Sequence, residues 1–175
     1  MPDTEKTCCY RNPFPVVDEK EFCQFMPEDD VAPNLIDVGG LVFCRYHLPF
    51  SAQEMKEDYG ERITKDIDTD LLKDAWNKNA VKAFNADIID RLDEAKSKKK
   101  LCDLTGAVFP GAFDCRNREL PAVRFMDARF SGGHANFANA QFSGGDAWFT
   151  NARFSGGNAN FYNALFSGGH ADFTN

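Results

Sequence analysis

The sequence predicts a mainly β fold: a four-sided coil of stacked short strands over residues 101–175, preceded by a helix and a small cysteine-bearing segment. Three observations carry this. Phenylalanines recur every twelve residues in two interleaved series, Phe130, Phe142, Phe154, Phe166 and Phe137, Phe149, Phe161, Phe173. Each stands two residues after an alanine, from Ala128 to Ala171. Turn formers separate the units: Asn139, Asn151 and Asn163 in the short gaps and Ser-Gly-Gly in the long ones. Residues i−2 and i point to the same side of an extended segment, so the Ala and Phe stripes share one face and a corner follows each.

In chain order, residues 1–50 form a small header. The opening MPDTEKTCCYRNPF has no basic stretch followed by an apolar one. No window approaches the roughly 18 apolar residues of a membrane span. The expected setting is the cytoplasm, where six cysteines stay reduced and act as core residues, metal ligands or reactive thiols. Cys44-x2-His47 is a close pair that one turn can aim at a single ion, and Cys9 and Cys23 complete a Cys3His set, with Cys8 as a substitute for Cys9. Buried structural thiols and a redox role are the alternatives. A structural zinc ion would replace the core that so short a segment cannot build.

Residues 51–100 read as a linker and one amphipathic helix over about 69–98. Leu72, Trp76, Ala80, Phe84, Ile88 and Leu92 follow i, i+4 spacing. Asp68 or Thr69 caps its start, and Lys96 with Lys98 to Lys100 suits the negative end of its dipole. Its expected task is to cover the first open end of the coil, which would otherwise expose strand edge and aromatic core.

Residues 101–175 hold thirteen centre positions: Leu104, Phe109, Cys115, Leu120, Phe125, Phe130 and the seven phenylalanines that follow. Four sides per coil give about three coils, with residue i+24 above residue i in the upper part. His134 is then expected near Asn158, and Asp146 near His170. Nine phenylalanines, Phe125 to Phe173, should fill the column, with Cys102 and Cys115 also inward. The paired glycines of the Ser-Gly-Gly segments are expected to adopt positive φ at wide corners. The sequence stops in mid-repeat at Ala-Asp-Phe-Thr-Asn. This is expected of a piece of a longer array, or of an end that stacks on a second copy.

The A-x-F unit resembles the pentapeptide-repeat family, whose A-(D/N)-(L/F)-x-x units wind a right-handed four-sided β-helix. The segment Phe43-Cys44-Arg45-Tyr46-His47-Leu48-Pro49 is similar to zinc-binding headers, ending C-x-(F/W)-H-x-P, that precede such repeats in some bacterial proteins.

For function, the charge excludes most nucleic-acid roles. Residues 1–100 carry 15 Lys+Arg against 21 Asp+Glu, and residues 101–175 carry 5 against 6. No phosphate loop, Ser-His-Asp set or paired-carboxylate motif is present, so an enzyme is not expected. A protein-interaction scaffold with an unidentified protein partner is the first reading. Its variable outward positions, Asp146, Trp148, His134 and His170, are the candidate contact residues. The resemblance also implies a DNA-mimicking, topoisomerase-binding alternative, although the repeat surface lacks rows of carboxylates. A cryptic enzyme using Asp146 and His170 is the second alternative.

Overall fold

The computed structural model describes Cys8, Tyr10, Cys23, Phe25 and residues 35–174. The chain divides into two compact units, residues 1–75 and 76–175, and each is taken by itself.

In the first unit, β1 (Ile36–Val38) and β2 (Leu41–Phe43) form an antiparallel hairpin. Its two-residue turn, Gly39-Gly40, has φ of 62° and 84°, a conformation that side chains with a Cβ resist. The Gly39 carbonyl accepts the N–H groups of Thr64 (2.9 Å) and Lys65 (3.2 Å), tying the segment after α1 to the hairpin. Helix α1 (Ala52–Tyr59) starts at Ser51, whose hydroxyl accepts the Glu54 N–H at 3.2 Å, while Glu54 accepts the Phe50 N–H at 2.9 Å. Glu54 thus reaches back past the cap to the residue before it, a variation on the capping box, in which the N-cap N–H itself is bound. The helix buries Met55 and Tyr59, and the Tyr59 ring meets Phe43 edge-on at 5.1 Å.

The single helix expected over 69–98 is two helices, α2 (Thr69–Ala75) and α3 (Lys78–Ser97). Asp68 caps the first, accepting the N–H groups of Asp70 and Leu71. The break comes from Asn77, whose side chain accepts the N–H groups of Asn79 and Ala80 at 3.0 Å and so starts a new helix. An Asn that offers its own carbonyl competes with helix continuation, and here it wins over the apolar periodicity. Helix α3 buries Phe84, Ile88, Leu92 and Ala95.

The second unit is a β-solenoid of about three coils. Its strands are β3 (Cys102–Asp103), β4 (Val108–Phe109), β5 (Phe113–Asp114), β6 (Glu119–Arg124), β7 (Arg129–Phe130), β8 (Ala135–Asn136), β9 (Gln141–Trp148), β10 (Ala159–Asn160), β11 (Leu165–Phe166) and β12 (Ala171–Asp172). All their pairings are parallel. They sort the centres into four stacks: Leu104, Phe125, Phe149, Phe173; Phe109, Phe130, Phe154; Cys115, Phe137, Phe161; and Leu120, Phe142, Phe166. The upper step is 24 residues, as expected, while the lower one is 21 or 22 rather than twenty. The 21-residue steps contain no Ser-Gly-Gly segment and the 22-residue steps contain one, whereas each 24-residue step contains two.

Ring geometry follows from backbone spacing. Phe142 and Phe166 stack at 4.4 Å and 9°, and Phe149 and Phe173 at 4.8 Å and 2°. These match the interval of about 4.8 Å between paired strands, so the ladder imposes parallel stacking that ring quadrupoles alone disfavour. Edge-on contacts between neighbouring sides relieve it, as for Phe130 and Phe137 at 6.1 Å and 83°.

Two devices turn the corners. The residue two past every other centre takes a left-handed conformation: Gly106, Asn117, Asp127, Asn139, Asn151 and Asn163. An N–H one residue further on closes each turn onto the centre's carbonyl, as Ala152 does to Phe149 at 2.9 Å. The Asp or Asn before a centre accepts the N–H two residues ahead, as in Asp103 to Thr105 and Asn160 to Tyr162. Such side-chain turns are why this position favours Asp and Asn.

The Ser-Gly-Gly corners follow a different rule from the one expected. Only Gly145 and Gly157 have positive φ in these segments. The first glycine of each is required by close stacking: a Cβ on Gly144 would lie 2.6 Å from Pro121 Cα, and one on Gly168 would lie 2.5 Å from Gly145 N.

Phe113, at an i−2 position, is 1% exposed and lies 4.7 Å from Phe109, filling the room left where Cys115 replaces an aromatic centre. Burial then fades upwards. Phe125, Phe130, Phe137, Phe142 and Phe149 are buried, Phe154, Phe161 and Phe166 are half-buried, and Phe173 is 49% exposed. The expected burial of all nine therefore holds for five, because the rings of the last coil have a layer on one side only.

Candidate metal centre

Cys44 follows directly on β2, and the chain turns at once, with the His47 N–H donated to the Cys44 carbonyl at 3.1 Å. That turn brings both side chains of the Cys-x2-His pair to one point. Cys8 and Cys23 arrive from distant parts of the sequence. The Cys44 backbone N–H points at the Cys8 sulfur, 3.3 Å away.

His47 Nδ1 lies 3.6 Å from Cys8 Sγ, 3.2 Å from Cys23 Sγ and 3.4 Å from Cys44 Sγ, and Cys23 and Cys44 sulfurs are 3.5 Å apart. All four ligand atoms fall within 4.8 Å of one another, and all four residues are buried. The sulfurs are too far apart for a disulfide, whose bond is about 2.05 Å, and the described cysteines are free thiols. The cluster can hold a metal ion.

Its electrostatics point the same way. Hydrogen bonds from Cys23 and Cys44 draw Cys8 far below the ordinary thiol range. Hydrogen bonding to Cys44 and Cys8, with burial, pushes Cys23 far above it. Cys44 is pushed up to about 12, with hydrogen bonding to Cys8 and burial raising it against an opposing bond from Cys23. With protons alone, three thiols in one dry site cannot all ionise. A divalent cation removes that conflict.

Of the expected ligands, Cys23, Cys44 and His47 converge as predicted, and Cys8 is the fourth. Cys9 lies outside the described residues. Cys102 and Cys115 are buried in the coil, and burial pushes both thiols up to about 12, which suits packing rather than reactivity.

The outward candidates keep their places in the repeat. Asn158 donates its N–H to His134 Nδ1 at 2.9 Å, and His170 donates its N–H to Asp146 Oδ1 at 2.8 Å. The second contact uses backbone rather than imidazole, so it is a loop-stacking bond and not a carboxylate–imidazole pair. Trp148 lies in a row with Asp103, Arg124 and Asp172; Arg124 pairs with Asp103 at 3.0 Å and sits 5.4 Å over the Trp148 ring.

Sequence reasoning missed the aromatics around the cluster. Tyr10 stacks on His47 at 3.8 Å and 17°, and Phe25 lies 5.3 Å from His47 and 4.1 Å from Tyr46. A signal was present: each ligand cysteine is followed two residues later by an aromatic, Tyr10, Phe25 or Tyr46.

Fold and site together define a β-solenoid protein with a buried Cys/His cluster. Compared with known proteins, the chain matches no family model, no curated protein and no solved structure. Among the described residues, no helix is long and apolar enough to cross a membrane.

Proposed function

We propose that the chain is a non-enzymatic protein-interaction scaffold: a right-handed, four-sided coil of pentapeptide-repeat type, with α3 capping its first end and a structural zinc ion organising the first unit. The observation that supports the scaffold reading is the contrast between faces. Inward positions repeat Ala and Phe from coil to coil, whereas one outward row reads Asp103, Arg124, Trp148, Asp172. A surface that changes at each step on a core that is apolar throughout can encode a partner, although fold alone does not name one.

The capping role of α3 is supported by its contacts. Phe84 meets Phe109 edge-on at 5.6 Å, Asn85 donates to the Ala112 carbonyl at 2.8 Å, and ion pairs join Asp93 to Arg118 and Lys96 to Glu119.

Zinc is supported by donor chemistry and size. Ligands at zinc–sulfur and zinc–nitrogen distances of about 2.3 and 2.05 Å define a tetrahedron with edges of roughly 3.8 Å between sulfurs and 3.5 Å from sulfur to nitrogen. The observed 3.5 Å between the Cys23 and Cys44 sulfurs and 3.2–3.6 Å from Nδ1 to the three sulfurs are close to these, and all four atoms lie within 4.8 Å of one another. Four protein ligands leave no open position for substrate, which makes the role structural. Zinc with reduced thiols suits a reducing compartment such as the cytoplasm.

The test has two arms. Elemental analysis of protein purified without chelator should give one zinc per chain, and a value well below one ends the zinc proposal. Binding partners captured from the native host should be lost in Trp148→Ala, in a preparation that keeps the far-UV circular dichroism spectrum of the wild type. Partners retained by that variant would remove this row from the interface. The DNA-mimic alternative predicts gyrase inhibition, and none is expected.

A further inference from the structure

We propose that Tyr10 and Phe25 are positioning residues of the metal centre: an aromatic clamp on the His47 imidazole that controls how fast the bound ion exchanges. This rests on the zinc reading above.

His47 faces the three sulfurs through Nδ1. An imidazole bound through that atom gives up electron density to the ion, and its ring becomes partly cationic. Tyr10 lies almost parallel to that ring at 3.8 Å, where an aromatic face attracts positive charge. The stack is therefore stronger with the ion than without it. By linkage, the ion is held more firmly with the stack than without it.

Phe25 adds a wall. It packs on Tyr46 at 4.1 Å and 22° and leans on His47 at 5.3 Å and 58°. Tyr10, Phe25 and Tyr46 are each at most 8% exposed, and the four ligand residues at most 5%. A chelator removes zinc from a four-ligand site by adding a fifth ligand first. Here that approach requires the rings to move, so the apolar shell sets solvent and chelator access.

The recurrence Cys8-x-Tyr10, Cys23-x-Phe25, Cys44-x-Tyr46 delivers a wall with every sulfur. The two rings that touch His47 come from the two strand-distant cysteine segments. Each of these segments therefore contributes twice, once to the ion and once to the imidazole.

The test uses the full chain loaded separately with zinc and with cobalt(II), and follows metal transfer to excess chelator. Tyr10→Leu and Phe25→Leu keep apolar bulk but remove the ring, while Tyr10→Phe keeps the ring and removes the hydroxyl. The leucine variants should keep one ion per chain and an unchanged far-UV circular dichroism spectrum, yet release the ion about 10- to 100-fold faster. Their cobalt(II) visible bands should shift as the imidazole loosens. Tyr10→Phe should match the wild type in rate and spectrum.

Loss of the ion from Tyr10→Leu with retention by Tyr10→Phe is the same effect in its strongest form. Wild-type release rates in both leucine variants, or a Tyr10→Phe variant as fast as Tyr10→Leu, would overturn the clamp while leaving the zinc reading intact. A wild-type chain that binds no ion defeats both.

Discussion

The His170 N–H donates to the Asp146 carboxylate at 2.8 Å, 24 residues and one coil apart, and a Cβ added to Gly169 would strike that same carboxylate. The wide corners are thus stacked shells in contact, not loops waving from the column.

Substitutions at the first glycine of these corners test that directly. Gly144→Ala would press on the Pro121 backbone and should cost about 1–3 kcal/mol, measured by chemical denaturation. Gly60→Ala is the control: its φ is −43° and nothing lies within 4 Å of the new Cβ. It should be neutral or stabilising by about 0.4–1 kcal/mol.

Phenylalanines of one repeat should differ in worth by height. Phe137→Ala removes a ring with 0% exposure and should cost about 3–5 kcal/mol. Phe173→Ala, 49% exposed, should cost far less, about 1 kcal/mol or under. Equal losses would contradict the graded column.

Asp127 makes its own contribution to the pH dependence of stability. It occupies a left-handed corner where its counterparts Asn117, Asn139, Asn151 and Asn163 are amides, and burial raises its pKa above the ordinary 3.8. Its Oδ2 is buried with no hydrogen-bond partner among the described residues. The native state therefore holds the proton more tightly than the unfolded chain, and stability falls as pH rises from 3.8 through the raised value. Asp127→Asn should remove that loss and raise Tm at neutral pH by about 1–3 °C. The gain should vanish below about pH 3.8, where both states of the wild type are protonated. A gain that persists there would assign it to the amide's corner geometry alone.

The choice between adjacent cysteines is open to metal analysis. Cys8→Ala should lose the ion and loosen the first unit, seen as a lower melting transition, whereas Cys9→Ala should retain one ion per chain. The reverse pattern would replace the ligand set.

Much of this was legible in the sequence. Strict spacing of Phe and Ala predicted stacks and step, and the 24-residue offset predicted the Asp146–His170 and His134–Asn158 contacts, because ladder geometry leaves a repeat no freedom. What was hidden depended on exceptions. Phe113 stands where a small residue was expected and compensates for Cys115, and only packing shows the exchange. The break at Asn77 lay beneath an unbroken apolar stripe, because a side-chain cap outweighed periodicity. Convergence of Cys8 and Cys23 on His47 was predictable in chemistry, but two chain segments so far apart leave the choice of Cys8 over Cys9 to geometry.

Nearly identical layers carry a hazard: shifted by one layer, Phe still meets Phe and Ala still meets Ala. The Phe113–Cys115 exchange and the shorter steps of 21 and 22 residues below the 24-residue ones make the lowest layer unlike all others. They are the notch in an otherwise uniform ruler, the one layer whose pairing differs from all the rest.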